Sequence, residues 1–296
     1  MNVQRIAFIE LLGGIGDLLM ALPAIRALAY SHPGAKLSVL TFRPGGELLE
    51  GDPQIAEVQY AKRSKEAAPG VVEPLHSVER FLRRCRFDLV VTDTCYGGIA
   101  EAVDRCHAPI RVTRLWKDVR ADESVETLFL RNLADLGLIA RQLMRLPAWL
   151  HIGDRDRAWA ADWWRRHGHV PGATVLLNPD AGMPIKRWPA ERFVEVGRQL
   201  AARGWKIGVV QTDESAAAPA IAAAVPGGFV LPKLPLRRFA ALCGGTALFI
   251  SADTGPARIA AAVGVPVVGI YGPTVAARYG IRGNAVNLMS PFDCPE

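Results

Sequence analysis

A glycine-rich loop near the start of the chain ends on a carboxylate. Residues 12–16 are Leu-Gly-Gly-Ile-Gly, and Asp17 follows directly. Glycines such as Gly14 and Gly16 allow the backbone to approach a ligand closely, and a carboxylate placed there can take a proton from a hydroxyl group. A helix cap explains Asp17 equally well, because acidic side chains also favour the first turn of a helix.

A second group of polar residues follows an apolar run at residues 249–252. Asp253, Thr254 and Gly255 form a turn, Pro256 suits the first turn of a helix, and Arg258 lies within that turn. The unpaired N–H groups at a helix start favour a phosphate group, and the guanidinium adds positive charge there. The alternative is an ordinary strand-to-helix turn, in which Asp253 is a cap and Arg258 faces solvent.

Two further patterns resemble cofactor sites but fit them poorly. Leu19 occupies the place of the third glycine of a dinucleotide fingerprint, and no acidic residue ends the second strand. Asp154 and Asp156 resemble an Asp-x-Asp cation motif, yet they follow Gly153 at a helix start, where carboxylates favour the N-cap and the helix dipole. We therefore expect no metal and no cofactor beyond a bound donor substrate.

Strands and helices are predicted to alternate along the whole chain. Strands are predicted at residues 5–12, 36–41, 56–60, 87–93, 110–112, 174–179, 205–210, 228–231 and 249–252, with a last apolar strand that ends at the Gly-Pro-Thr of residues 272–274. Helices are predicted at 18–30, 77–86, 124–137, 154–167, 190–203, 236–243 and from 256. This alternation predicts parallel α/β sheets covered on both faces. We expect two domains, residues 1–168 and 169–296, with a ligand cleft between them.

Charge and composition narrow the class of partner. The net charge is +6, and half of the 296 residues are apolar. Residues 1–150 hold 19 basic and 18 acidic side chains, whereas residues 151–296 hold 16 and 11, so the second half carries most of the excess. No basic stripe with interleaved aromatic residues is present, which argues against a nucleic-acid partner and for a small anion or an anionic surface.

The chain has no sequence feature of export. Charged residues flank the first short apolar run, which is typical of a first strand rather than of a signal peptide. The five cysteines are odd in number and form no Cys-x-x-Cys pair, so we expect free thiols. The expected location is the cytoplasm, including the inner surface of a membrane.

Three motifs together resemble glycosyltransferase family 9, the bacterial heptosyltransferases of lipopolysaccharide core assembly. They are Leu-Gly-Gly-Ile-Gly-Asp-Leu-Leu-Met-Ala-Leu-Pro at residues 12–23, Lys-Arg-Trp-Pro-x-Glu-x-Phe at 186–193, and Asp-Thr-Gly-Pro at 253–256 continuing to Tyr-Gly-Pro-Thr at 271–274. The similarity runs almost end to end. It implies a GT-B architecture, in which two Rossmann-like domains face each other across a cleft and the C-terminal one binds the nucleotide sugar.

The resemblance also implies an activity: inverting, metal-independent transfer of a heptose from ADP-heptose to a glycan or lipid-linked hydroxyl. Asp17 would be the general base and Lys186 would contact the donor pyrophosphate. Asp253, Thr254 and Gly255 would hold the donor's sugar and phosphates, and Leu234 would pack against adenine.

Two departures from the family pattern leave alternatives open. Arg258 stands where the family usually has His or a similar residue, and Ala181 and Gly182 keep only the small size of the residues that usually precede the lysine. A transferase of the same fold that uses another nucleotide sugar, for a secondary metabolite or a protein glycan, is one alternative. A non-catalytic nucleotide-sugar binder is the other.

Basic residues of the first half form a hypothetical acceptor site. Two groups are candidates for an anionic sugar or lipid phosphate, and solvated loop charges are the alternative explanation: Lys62, Arg63 and Lys65, and Arg114, Lys117 and Arg120.

Overall fold

The computed structural model describes residues 3–63, 73–212 and 217–289. The chain divides into two compact units, residues 1–151 and 152–296. Each unit contains one parallel β-sheet with helices in its connections, as the alternating pattern predicts.

The first unit contains a five-stranded sheet in the order β3-β2-β1-β4-β5. Its strands are β1 (Arg5–Ile9), β2 (Lys36–Thr41), β3 (Glu57–Tyr60), β4 (Leu89–Thr92) and β5 (Ile110–Val112). The connecting helices are α1 (Ile15–Ser31), α2 (Glu73–Arg83), α3 (Ile99–Asp104) and α4 (Val125–Asp135), with 3₁₀ turns at Gly45–Leu49 and Arg141–Arg145. All four strand pairings are parallel.

Helix α1 lies deep in this unit. Its residues 18–28 are buried without interruption, because the sequence there is apolar on every side except at Arg26. The guanidinium of Arg26 is fully buried, donates to both carboxylate oxygens of Asp52 and to Gln54 Oε1 at 3.0 Å, and stacks 3.7 Å from the ring centroid of Trp149. This buried ion pair fixes α1 to the segment that follows the Gly45–Leu49 turn and to the end of the unit.

The second unit contains a six-stranded sheet in the order β11-β10-β9-β6-β7-β8. Its strands are β6 (Thr174–Asn178), β7 (Lys206–Val210), β8 (Phe229–Leu231), β9 (Leu248–Ala252), β10 (Val267–Tyr271) and β11 (Ala285–Met289). The helices are α5 (Asp154–Arg166), α6 (Ala190–Ala202), α7 (Ala217–Ala224), α8 (Leu236–Cys243), α9 (Gly255–Ala262) and α10 (Ala276–Tyr279), and Pro184–Lys186 is a 3₁₀ turn.

The division between the units falls earlier than the boundary predicted after residue 168. Helix α5 belongs to the second unit, where Arg237 of α8 pairs with Asp156 at 2.8 Å. Next to it, the His169 ring stacks on Phe229 at a centroid distance of 3.8 Å. The helix therefore opens the second unit rather than closing the first.

Most predicted elements are present, and several short ones were not predicted. The strands at residues 36–41 and 110–112 and the helix at 236–243 have the predicted bounds, and the other predicted elements differ from the observed ones at their ends. Helices α3, α7 and α10 and strand β11 were not predicted. Within the described residues, no helix is long and apolar enough to cross a membrane.

Removal of the partner of Arg26 should destabilise the first unit strongly. Asp52→Ala leaves a guanidinium buried without its carboxylate, which typically costs about 3–5 kcal/mol. Urea unfolding at pH 7 measures the loss. The matched control is Glu47→Ala, which removes the exposed partner of Arg43 and should cost less than about 1 kcal/mol. Equal effects of the two substitutions would contradict a stabilising role for the buried pair.

Candidate active site

The polar motifs lie where the strand order of each sheet reverses. Both sheets follow the Rossmann order, in which the first strand of the unit pairs with the second on one side and the fourth on the other. In such sheets ligands bind beyond the carboxyl ends of the strands at this reversal. It lies between β1 and β4 in the first unit, and between β6 and β9 in the second.

The loop between β1 and α1 is held through its backbone. Glu10 Oε1 accepts the N–H groups of Leu12, at 3.0 Å, and Gly13, at 3.4 Å. The N–H of Leu11 donates to Thr94 Oγ1 at 2.8 Å, and the Tyr96 hydroxyl donates to the Leu11 carbonyl oxygen. The loop is therefore fixed by its own first residue and by the chain that follows β4.

Asp17 lies in the first turn of α1 with its carboxylate folded back onto the loop. Its Oδ2 accepts the N–H of Gly14 at 2.9 Å, so the capping role is real. A Cβ at Gly14 would lie 2.5 Å from this oxygen, and Gly13 has φ +105°, a backbone conformation that favours glycine. Gly16 lies in the same helical turn. The missing side chain of Gly14 and the positive φ of Gly13 therefore allow the Asp17 carboxylate to lie against the loop.

Arg63, one of the basic residues predicted to bind the acceptor, contacts this loop. Its Nη2 donates to the Gly13 carbonyl at 2.5 Å, and its guanidinium lies 4.3 Å from the Phe42 ring centroid. Lys65 lies outside the described residues. The second predicted group, Arg114, Lys117 and Arg120, is exposed to solvent.

Two acidic side chains that sequence analysis did not select lie buried next to the loop. Glu10 and Asp93 are each 1% exposed. Burial raises the pKa of Glu10 to about 7, with a contribution from the negative charge of Asp17 and against hydrogen bonds from Thr41 and the loop. Burial, followed by the charge of Glu10, raises the pKa of Asp93 well above its usual value. The sequence feature that Glu10 and Asp93 share is that each is an acidic residue directly after an apolar strand.

In the second unit, Lys186 and Arg258 both lie near Asp253. Lys186 Nζ is 2.8 Å from Asp253 Oδ2, and Arg258 Nη2 is 4.0 Å from Oδ1 of the same carboxylate. The Lys186 side chain is 23% exposed, whereas that of Arg258 is 6% exposed and donates to the Tyr279 carbonyl. Arg258 is therefore buried in the fold, and Lys186 is the more accessible of the two cations.

The start of α9 is tied to the end of β6. Thr254 caps α9, because its Oγ1 accepts the N–H of Ala257 at 3.4 Å, and Gly255 is the first residue of the helix. The Asn178 amide donates to Ser251 Oγ at 2.9 Å and to Thr254 Oγ1 at 3.2 Å. Asn178 was not predicted as a site residue, although it is a polar residue at the end of an apolar strand, as Glu10 is a polar residue directly after one.

The other predicted site residues occupy separate places at this edge of the sheet. Ala181 is buried and Gly182 is exposed in the loop between β6 and Lys186. A Cβ at Gly182 would meet no atom within 4 Å. Leu234 is half-buried in the loop after β8. Asn178 Nδ2 also donates to the Asp180 carbonyl at 3.3 Å, which holds the start of the Ala181 loop near Thr254.

Asp154 and Asp156 form ion pairs that stabilise the start of helix α5 and its packing. Both lie in the first turn of α5, where Asp154 pairs with Arg157 and Asp156 with Arg237. Across the described chain, no three or more His, Cys, Asp or Glu side chains are grouped so that they could hold a metal ion.

Two parallel α/β domains of this strand order, each with polar residues at its reversal point, have the architecture of a two-domain glycosyltransferase. The family model described as glycosyltransferase family 9 (heptosyltransferase) matches residues 152–294. Lipopolysaccharide heptosyltransferase 1 of Pseudomonas aeruginosa is 32% identical over 302 residues, which cover 95% of this chain and 82% of that protein. The chain therefore belongs to glycosyltransferase family 9, and the heptosyltransferase resemblance is confirmed.

Other similar proteins are also named as heptosyltransferases or as family 9 glycosyltransferases. Lipopolysaccharide heptosyltransferase 3 of Escherichia coli is 26% identical, with 88% of this chain and 81% of that protein covered. A family 9 glycosyltransferase structure from Veillonella parvula has a TM-score of 0.82 at 21% identity, covering 98% of this chain and 87% of that one. E. coli heptosyltransferase WaaC with ADP has a TM-score of 0.72 at 22% identity, covering 97% and 94%. The two structures show a shared fold.

The raised pKa of Glu10 predicts how stability depends on pH. Because the folded protein holds this proton more tightly than the unfolded chain, the stabilisation is complete below pH 4.5 and is lost as pH rises through 7. A shift of this size corresponds to about 3 kcal/mol. Glu10→Gln, which cannot ionise, should therefore be more stable than wild type at pH 8.5 by about that amount.

Urea unfolding at pH 5, 7 and 8.5 checks this, with Asp104→Asn as an exposed-acid control from the same domain. The advantage of Glu10→Gln should shrink toward pH 5. A stability difference that is the same at all three pH values would show that Glu10 ionises normally.

Proposed function

We propose that this protein transfers a heptose, with inversion, from ADP-heptose to a hydroxyl group of a glycan or of the lipopolysaccharide core. The observation that carries the proposal is the placement of Asp17 and of the Lys186–Asp253–Thr254 group, each at the strand-order reversal of its own sheet. The relatives named as lipopolysaccharide heptosyltransferases, and the fold shared with WaaC bound to ADP, support this donor and this acceptor class.

Asp17 acts as the general base. The acceptor hydroxyl attacks the anomeric carbon of the donor, its proton passes to the Asp17 carboxylate, and the bond to the diphosphate breaks with its electron pair on the leaving phosphate oxygen. An inverting displacement needs one base on the face opposite the leaving group. The hydrogen bond from Gly14 to Oδ2 holds the carboxylate in one orientation, which reduces the entropic cost of reaching the reactive geometry.

The second domain holds the donor. Lys186 contacts the pyrophosphate and stabilises the charge that develops as ADP departs. The start of α9, with Thr254 and Gly255, presents N–H groups and the positive end of the helix dipole to the phosphates. Asp253 binds the donor's sugar hydroxyls, Leu234 packs against adenine, and the loop of Ala181 and Gly182 leaves room for the phosphates.

Protein cations take the role that a divalent metal has in other sugar transferases. Lys186 is partly exposed beside Asp253, and the buried guanidinium of Arg258 adds a second positive charge 4.0 Å from the same carboxylate. These fixed charges support transfer without a metal. The acceptor is an anionic glycan or lipid-linked sugar met in the cytoplasm at the inner membrane surface, with Arg63 beside the Asp17 loop as its first cationic contact.

Arg258 favours one second candidate, a transferase of the same fold that uses a different nucleotide sugar. Its side chain reaches the Tyr279 carbonyl and so links α9 to α10. A residue of this size in the donor half of the protein would alter the space left for the sugar. Comparison of ADP with UDP, GDP and dTDP separates the two candidates.

Calorimetric titration of these four nucleotides tests the donor assignment. ADP should bind best, equally well with EDTA and with magnesium. Lys186→Ala should weaken ADP binding at least tenfold, which is about 1.4 kcal/mol, because a charge-assisted phosphate contact is lost.

The control for this titration is Lys206→Ala, which removes a lysine at the amino end of β7, the opposite edge of the same sheet. It should leave ADP binding unchanged. Preference for UDP, GDP or dTDP would overturn the ADP-heptose assignment while leaving the fold intact. Equal loss in both variants would argue against a phosphate contact at Lys186.

Asp17→Asn tests the base. Transfer should fall by about 10²–10⁴-fold, the usual contribution of general base catalysis, while ADP binding survives. The exposed-acid variant Asp104→Asn is the activity control. Full turnover by Asp17→Asn would remove Asp17 from the mechanism and leave it as a helix cap alone.

A further inference from the structure

The buried acids Glu10 and Asp93 lie side by side at the sheet edge. In the pairing of β1 with β4, Ile9 is opposite Thr92, so Glu10 and Asp93 are the next matched positions. The N–H of Asp93 donates to the Ile9 carbonyl at 3.4 Å, which continues the ladder to this point. Residues at matched positions of neighbouring parallel strands direct their side chains to the same face. Two carboxyl groups are thus buried on one face at the reversal point.

The hydrogen bonds of the two acids differ. Glu10 accepts from the Thr41 hydroxyl at 2.7 Å and from two loop N–H groups, so both of its oxygens are engaged. Asp93 Oδ1 accepts from the Thr94 hydroxyl at 2.9 Å, whereas Oδ2 is buried without a hydrogen-bond partner. In the described part of the chain neither acid forms an ion pair. These hydrogen bonds favour an ionised Glu10, whose two oxygens both accept, beside a protonated Asp93, whose Oδ2 has no acceptor role.

The loop connects Glu10 directly to Asp17. Consecutive N–H groups, those of Gly13 and Gly14, donate to Glu10 and to Asp17 respectively. The charge of Asp17 in turn helps to raise the pKa of Glu10 and of Asp93. An electrostatic interaction acts equally on both partners, so a negative Glu10 makes Asp17 hold a proton more tightly.

This arrangement is costly to the fold, since an ionised carboxylate is buried without an ion-pair partner among the described residues. Residues that reduce stability in this way are concentrated at functional sites. A structural role alone, fixing the loop, would be met by the neutral side chain of glutamine. The presence of an ionisable glutamate at this position is therefore explained by the chemistry of the site rather than by the structure of the loop.

Resting on the proposed role of Asp17 as base, we propose that Glu10 is its positioning residue. The Glu10 carboxylate fixes the loop that carries Asp17 and increases the affinity of Asp17 for the proton of the acceptor hydroxyl. Asp93 retains a proton, so that the pair buries a single negative charge. Glu10 itself neither touches the substrate nor takes the transferred proton.

The charged form of Glu10 exists above about pH 7, where its pKa lies. The titratable groups that interact with it are Asp17 from α1, Asp93 after β4 and Tyr96 from the loop that follows, and the cation of Arg63 contacts the Gly13 carbonyl of the same loop. Burial raises the pKa of Tyr96, so its phenol stays neutral through this range. Transfer should therefore decline as pH falls through 7, when Glu10 becomes neutral and Asp17 becomes a weaker base.

The kinetic test is the pH profile of kcat from pH 5.5 to 9 for wild type, Glu10→Gln and Asp93→Asn. Wild type should show an inflection near pH 7. Glu10→Gln should lack it, with kcat at pH 8.5 reduced about tenfold, one pKa unit of coupling, and an unchanged KM for the donor. Asp93→Asn is the matched control: it imitates the protonated acid and should keep the inflection. A Glu10→Gln profile identical to that of wild type would overturn the proposal.

A second measurement does not depend on transfer. Carbon-13 NMR of the glutamate carboxyl groups, with the Glu10 signal assigned from its loss in Glu10→Gln, should show Glu10 titrating near pH 7 in the substrate-free protein. In Asp17→Asn the midpoint should move to lower pH, because a negative neighbour is gone. A midpoint that stays unchanged would refute the coupling even if heptose transfer is confirmed. A shifted midpoint in a protein that transfers no heptose would uphold the coupling and reject only the proposed function.

Discussion

The carboxylate of Glu10 is the constraint on which the first domain's site depends. A loop that turns from the end of a central strand into a buried helix leaves several N–H groups without a ladder partner, and such groups are costly unless they are satisfied. Glu10 accepts two of them, while Thr94 and Tyr96 take the remaining polar groups of Leu11. The position of Asp17 then follows, because the next N–H along the chain, that of Gly14, is bound by its carboxylate. Backbone hydrogen bonding, rather than side-chain packing, determines where the Asp17 carboxylate lies.

The second domain has a neutral polar residue at the end of the first strand of its sheet, and that residue donates hydrogen bonds rather than accepting them. Asn178 is the last residue of β6, whereas Glu10 directly follows β1, and the Asn178 amide donates to Ser251 and Thr254 at the end of the fourth strand. The difference in charge matches the two proposed tasks. A negative group behind Asp17 favours proton uptake, whereas a negative group behind the start of α9 would repel a diphosphate. The two domains therefore combine one strand order with residues of different charge at the carboxyl end of the first strand.

Much of the fold could be predicted from the sequence, and part of the site could not. The strand at 36–41 and the helix at 236–243 are apolar patterns bounded by Gly and Pro, so local chemistry defines their ends. Helix α7 was missed because an alanine-rich run with Pro219 in its first turn lacks an amphipathic period. The motifs around Asp17, Lys186 and Asp253 could be found by residue type and spacing. Glu10 and Asp93 could not, because an acid next to a strand is usually solvated, and their burial arises from the pairing of β1 with β4, segments that are 83 residues apart.

The contact of Arg26 with Trp149 has a consequence for how the chain can be divided. Trp149 provides the aromatic face over the guanidinium, and its carbonyl accepts a hydrogen bond from Nη2 at 3.2 Å. The buried guanidinium of helix α1 is thus covered by Trp149, at the far end of the same domain. A fragment that stops before Trp149 would leave a cation uncovered in its core, so an N-terminal fragment keeps this contact only if it extends through Trp149, close to the division of the chain at His151. The natural junction for exchanging the domains of this chain is therefore near His151, and not within the helix that follows.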